Sequence, residues 1–313
     1  MFGHPGGYRS RDVREERVIG VDLGGTKILA GLVARDGTIG RTIEIATPDG
    51  DQADVLGAID GVVEDLLPDG AAAIGYGVPL NIDRRTGVAL RAVNLPLHRV
   101  HFPDRARERY SIPAGVENDG NAAALAEWRL GVGRGASDLI MLTLGTGVGG
   151  GLVIDDHLYR GWAELGHTVV VAGGQPCQGN CHGRGHLEAH ASGLAADRAA
   201  ATLFGPGADA PVLVERARAG DAGAMAALAE IGRLLGAAIG SLVNIFDPDI
   251  VIVGGGFGAA AGDLVLEPAR IAARAEAIQP ADETLRIVEA ELGDEAGLIG
   301  AALVAFEALD GKR

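Results

Sequence analysis

Cysteine is scarce. The 313 residues carry two, Cys177 and Cys181, both in one glycine- and histidine-rich stretch. That count excludes a fold stapled by disulfides, and the clustering favours a metal site in a cytoplasmic protein over a disulfide. Aromatics make up only 4% of the chain, against 50 glycines, which suits a glycine-turned α/β enzyme rich in small side chains. Basic charge is short as well. Lys and Arg number 27 against 42 Asp and Glu, a formal net charge of −15, so generic nucleic-acid binding, which needs a basic face, is excluded. No apolar run approaches the ~20 residues of a membrane helix, and no membrane partner is expected. The first 17 residues, MFGHPGGYRSRDVREER, lack a hydrophobic signal core and read as a flexible tail.

What is present is organised around Val18–Val33, VIGVDLGGTKILAGLV. Alternation and β-branched residues on both sides of Leu23-Gly24-Gly25-Thr26-Lys27 make it strand–turn–strand. Glycines without Cβ let backbone N–H groups close on an anion, and such concavities bind phosphate. Asp22, at the strand end, is placed to hold a hydrated Mg²⁺. An ordinary hairpin is the plain alternative for this stretch taken alone. A second copy follows at Leu139–Val153, LIMLTLGTGVGGGLV, where Leu144-Gly145 matches Leu23-Gly24 and Gly151-Leu152-Val153 matches Gly31-Leu32-Val33. Two copies of one supersecondary unit suggest a duplicated, two-lobed fold. Turns facing each other across a cleft would grip a polyphosphate from both sides. Neither is a Walker A loop or a Rossmann turn, because those lead into a helix and these lead into a strand.

Over about Val18–Leu309 the chain resembles the ROK family (repressors, open reading frames and sugar kinases), in particular its bacterial ATP-dependent glucokinase branch. The resemblance implies an actin-like, ribonuclease-H-like two-domain α/β fold with duplicated βββαβαβα units. It also implies transfer of the ATP γ-phosphoryl group to the 6-hydroxyl of a hexose, glucose first, with mannose, fructose, N-acetylglucosamine or N-acetylmannosamine as alternatives. A sugar-responsive regulator is the rival from another class, although the segment ahead of Val18 is too short for a helix-turn-helix domain. The expected division is a tail over 1–17, a small lobe over 18–120 and a larger lobe over 121–294. The closing helix 295–309 returns to the first lobe. Relatives are usually dimers or tetramers, so a homo-oligomer is expected.

Residue by residue, the resemblance places the base at Asp119, within VENDGNAAALAEW. A carboxylate in a sugar cleft can take the hydroxyl proton as its oxygen attacks phosphorus. A plain helix N-cap is the other reading of Asp119. Asn118, Glu164, His167 and Glu188 would hold the sugar. So would Asn94, for which a turn asparagine before proline is an equal reading. Gly24, Gly25, Thr26, Gly145, Thr146 and Gly147 would serve the phosphates, Lys27 would add charge, and Gly254, Gly255 and Gly256 would let the nucleoside lie against bare backbone.

The segment PCQGNCHGRGHLE, 176–188, departs from the family's Cys-x-Cys-Gly-x-x-Gly-Cys-x-Glu pattern. Three residues separate the cysteines, and His186 stands where a third cysteine is usual. Zn²⁺ accepts imidazole and thiolate alike in a tetrahedral shell. The family's fourth ligand is the equivalent of His167, so the resemblance implies His167, Cys177, Cys181 and His186 as the ligands of a structural zinc, with His182 the rival to His186. A second departure is Leu80, which replaces a family glycine ahead of Asn81.

Overall fold

The computed structural model describes residues 16–92 and 95–311. Three strands open the chain: β1 (Arg17–Leu23), β2 (Lys27–Ala34) and β3 (Ile39–Ala46). Helix α1 (Gln52–Leu66) follows, then β4 (Ile74–Val78), β5 (Leu80–Asp83), β6 (Val88–Ala92), β7 (His98–Val100), α2 (Phe102–Tyr110) and β8 (Ala114–Asn118). Helix α3 (Asp119–Arg129) leads to a second triplet, β9 (Leu139–Leu144), β10 (Val148–Ile154) and β11 (His157–Leu158). A helical block comes next: α4 (Leu187–Ala191), α5 (Gly193–Phe204), α6 (Ala210–Arg218) and α7 (Ala222–Phe246). The chain closes through β12 (Ile250–Gly254), α8 (Gly256–Ala261), α9 (Asp263–Glu276), α10 (Ala281–Thr284), β13 (Ile287–Glu289) and α11 (Ala296–Leu309).

The duplication is explicit in the sheets. One runs β3-β2-β1-β4-β8 and the other β11-β10-β9-β12-β13, the same spatial order built from corresponding elements. In each, an antiparallel hairpin (Asp22 opposite Leu29; Val148 opposite Leu144) lies beside strands running parallel to its first member. This is the two-domain, actin-like α/β arrangement. The central strands β4 and β12 are buried throughout, which accounts for their continuous apolar runs, since both faces carry helices. A third, three-stranded sheet, β5-β6-β7, was not foreseen. Its strands are short, and the β5–β6 register slips between Leu80 and Ile82.

Helix α11 packs on β1, β4 and α3 and so touches elements on both sides of the cleft. Bare backbone permits this. A Cβ at Gly75 would fall 1.7 Å from the carbonyl oxygen of Ala301, and one at Gly300 would fall 1.9 Å from that of Ala122. Helix α7 corrects the reading of apolar runs. With mean hydropathy 1.5 over its best window, it is, among the described residues, the one helix long and apolar enough to cross a membrane. It is instead a core helix, 61% buried over that window and packed along α9. Its charges, Glu230 and Arg233, pair with each other at 2.7 Å.

Of the expected tail, residues 1–15 lie outside the described residues, and so does Asn94. The tail's last two positions are structured: Arg17 opens β1, and the Glu16 carboxylate binds Arg35 at 2.8 Å.

Candidate active site

Both glycine turns follow strands that end at one cavity of about 550 Å³. Gly25 and Thr26 line it from the first turn, and Gly145, Thr146 and Gly147 from the second. The first turn is fixed internally. The Gly24 N–H donates to the Lys27 carbonyl (2.9 Å), and the Thr47 hydroxyl donates to the Gly24 carbonyl (2.8 Å). Lys27 spends its charge on Glu44 at 3.0 Å, with both side chains about half exposed. Of the third glycine run, Gly254 ends β12, Gly255 lines the cavity with φ +83°, and Gly256 opens α8.

Asp119 also lines the cavity, and the structure decides which residue caps the helix behind it. The N-cap of α3 is Asn118, whose Oδ1 accepts from the Gly120 and Asn121 N–H groups at 3.0 and 3.2 Å. Asp119 is the first helical residue, so the cap reading of Asp119 does not hold. Its Oδ1 accepts from the Gly120 N–H at 2.8 Å. With the Asn118 oxygen serving the helix, its amide nitrogen is the end that donates to the Asp119 carboxylate.

Asp119 and Asp22 are close enough for the charge of one to act on the other. Burial raises the pKa of Asp119 above the usual carboxylate range, against the opposing effect of hydrogen bonds from Gly120 and its neighbours. Asp22 is pushed up to about 7, first by burial and then by the nearby charge of Asp119, while Lys27 pulls it down. Such an acidic pair invites a cation. Asp22 also rests against the start of α11, where a Cβ at Gly297 would fall 2.4 Å from its Oδ2. The sequence reading missed Gly297, because nothing in the local pattern brings a residue 275 positions away to the first turn.

The opposite wall carries Glu164, His167 and Glu188. Burial raises Glu164, opposed by His167, while Asp119 and Glu188 add to the rise and a hydrogen bond from Asn81 lowers it. Asn81, on β5, therefore reaches across to the wall opposite; the sequence marked it only as part of an irregular segment. Glu188 accepts from the Val148 N–H at 3.0 Å. Gln178, between the two cysteines, donates to the Glu188 carbonyl (3.1 Å) and to the Ser192 hydroxyl (2.7 Å). Trp162 lines the cavity as well, 61% exposed. Neither Gln178 nor Trp162 was foreseen.

Behind this wall, one donor atom from each of His167, Cys177, Cys181 and His186 lies within 4.8 Å of every other. The two imidazole Nδ1 atoms are 3.2 Å apart, and each sulfur lies 3.5 Å from an Nδ1, Cys177 from that of His167 and Cys181 from that of His186. Ligands at roughly 2.0–2.3 Å from one tetrahedral zinc sit about 3.3–3.8 Å from each other, so the four fit that ion. His186, not His182, completes the set. Backbone pairing holds the loop ready: Cys177 N–H to the Gly183 carbonyl (2.9 Å), Gly185 N–H to that of Gln175 (2.8 Å), Leu187 N–H to that of Thr168 (2.8 Å). His167 turns Nδ1 to this cluster and Nε2 toward Glu164, 4.0 Å from its Oε2.

The sequence model of the ROK family matches residues 18–308. The glucokinase of Streptomyces coelicolor is 36% identical over 92% of this chain and 97% of its own. The crystal structure of a ROK family glucokinase from Streptomyces griseus, in complex with glucose and AMPPNP, superposes with a TM-score of 0.82. It is 36% identical, covering 93% of this chain and 99% of that one. The ROK hexokinase of Thermus thermophilus gives a TM-score of 0.81 at 35% identity, covering 94% and 99%. With the family pattern spanning nearly the whole sequence and the twofold sheet order closing on a single cleft, this chain belongs to the ROK family.

Proposed function

We propose that this chain transfers the γ-phosphoryl group of ATP to the 6-hydroxyl of glucose. The observation that carries the reading is the position of Asp119. It lies deep in one cavity whose walls hold both glycine turns and the polar trio Glu164, His167 and Glu188. Support comes from relatives named glucokinases and from a similar structure holding glucose and an ATP analogue.

In this reading Asn118, Glu164, His167 and Glu188 hold the sugar hydroxyls and leave the 6-hydroxyl on Asp119. Asp119 accepts the hydroxyl proton while the oxygen attacks the γ-phosphorus, and the bond to the β–γ bridging oxygen breaks to release ADP. A carboxylate whose pKa is raised toward neutrality is better matched to that proton than a surface one. The Gly145 N–H closes its own turn on the Gly147 carbonyl (3.0 Å), so the backbone of Gly25 and Gly147 and the hydroxyls of Thr26 and Thr146 orient the phosphates. Asp22 is the residue that would hold hydrated Mg²⁺, which supplies charge neutralisation to the phosphates. The four-ligand site behind the wall would hold zinc with no open position, a structural rather than catalytic shell. On the same reading the protein works in the cytoplasm, where both thiols stay reduced for metal, as a homodimer or homotetramer.

ADP release with Mg·ATP, measured across glucose, mannose, fructose, N-acetylglucosamine and N-acetylmannosamine, tests the proposal. The highest kcat/KM is expected for glucose. A clear preference for another hexose would move the assignment to that sugar, and sugar binding without turnover would favour a regulator.

A further inference from the structure

Glu117 stands immediately before the residues assigned to catalysis and takes no part in the mechanism above, yet it is the best-connected carboxylate among the described residues. It occupies the one buried position of β8, with no exposed surface. An apolar side chain would fill such a position at no electrostatic cost, whereas a buried charge must be fully partnered to persist. Glu117 is. Arg84, on the β5–β6 turn, grips it with both terminal nitrogens, Nη1 donating to Oε2 at 3.1 Å and Nη2 donating to Oε1. Arg160, beyond β11, donates to Oε2 at 3.1 Å. The Asn118 N–H (2.9 Å) and the Asn121 side-chain amide (3.1 Å) donate to Oε1. The two arginines are joined directly, Arg84 Nε donating to the Arg160 carbonyl at 2.5 Å, and Arg160 also binds Glu307 of α11.

Each segment gathered here continues into the sugar end of the cleft. Arg84 follows Asn81 by three residues on the β5 hairpin. Arg160 precedes Trp162 and Glu164. Glu117 holds the first turn of α3 at Asn118 and at Asn121, on either side of Asp119. The phosphate-facing turns at 24–26 and 145–147 contribute nothing to the network among its hydrogen bonds.

We propose that Glu117 is a positioning residue, the centre of an ionic clasp with Arg84 and Arg160 that sets Asp119 against the sugar-binding walls. The clasp aligns the acceptor sugar and the base, and it leaves nucleotide binding to other elements. This rests on the kinase reading given above.

The test uses Arg84→Ala, Arg160→Ala and the double variant. Both arginine side chains are about one-third exposed whereas Glu117 is fully buried, so these substitutions disturb the fold less than Glu117→Gln would. Each single substitution should lower kcat about 10- to 100-fold and raise the hexose KM at least about fivefold, as ångström-scale misplacement does. The KM for Mg·ATP should stay within about twofold. Because both act through Glu117, the double variant should lose less than the product of the singles. Arg84→Lys, retaining the charge on a single nitrogen in place of the two-nitrogen fork, should recover part of the loss. A purely structural role would lower thermal stability while leaving the hexose KM unchanged, and multiplicative singles or an equal rise in the ATP KM would equally overturn the clasp. If the wild-type protein transfers no phosphoryl group, the kinase reading fails while the clasp stays testable. Glucose titration by tryptophan fluorescence, with Trp162 in the cleft, should then show the weakened binding. Ligand-free hydrogen exchange should show protection lost together over 80–84, 117–121 and 160–164. Loss confined to the substituted segment would refute it.

Discussion

Replacing Asp22 by Asn should make the protein more stable and less active, and the gain should depend on pH. The carboxyl titrates near 3.8 in the unfolded chain and at about 7 in the folded one, because burial and Asp119 oppose its charge. A group whose folded pKa is raised binds its proton more tightly when folded. Stability from this group is therefore complete at acidic pH and is lost as pH climbs from about 4 through 7. The full shift corresponds to about 4 kcal/mol. Asp22 keeps some exposed surface, so solvent screening brings the figure nearer 2 kcal/mol. For a chain of this length that is a melting shift of about 3 °C. Melting curves of wild type and Asp22→Asn, taken from pH 5 to 8.5, should diverge as pH rises to about 7 and run parallel above it. Adding Mg²⁺ at pH 8 should raise the wild-type melting temperature and leave the variant's unchanged. A difference that is flat in pH, or a variant that gains as much from Mg²⁺, would refute the argument that these carboxylates repel each other until a cation arrives.

Three further outcomes follow from the same geometry. Asp119→Asn should cut kcat by at least about 10²-fold with glucose still bound, and wild-type turnover should rise with pH through the elevated carboxyl titration; near-normal turnover in the variant would remove Asp119 from its role. Gly300→Ala should cost about 3 kcal/mol or more, the upper range for overpacking, because its Cβ would sit 1.9 Å from a backbone oxygen of α3; an unchanged melting temperature would show that α11 and α3 can part freely. Metal analysis should find one zinc per chain, and stripping it should lower the melting temperature and raise the hexose KM through His167 and Glu188; a metal-free protein with the same KM would separate the cluster from the sugar wall.

What the sequence determined by itself was local. The two glycine hairpins, their mutual likeness and the strand-to-helix step at 118–119 are patterns of neighbours, set by alternation, missing side chains and capping chemistry. The metal ligands were legible because imidazole and thiolate crowded into the twenty residues 167–186 match the family's ligand pattern, but the choice of His186 over His182 needed the fold of the loop. That is a matter of which side chain the backbone turns inward. Asn118 rather than Asp119 became the cap for a similar reason, since one residue's φ and ψ decide it. Lys27 was expected to add charge beside the glycines, and its pairing with Glu44 at 3.0 Å is a tertiary contact that no local pattern shows.

Long-range placement was decided by the tertiary structure alone. Gly297 against Asp22, Asn81 facing Glu164, and Arg84 and Arg160 closing on Glu117 each join residues that no periodicity relates. The small β5-β6-β7 sheet was invisible because its strands are too short to show a period. Sequence patterns record which faces are buried. Which buried faces meet depends on how two duplicated lobes and one returning helix share a single cleft.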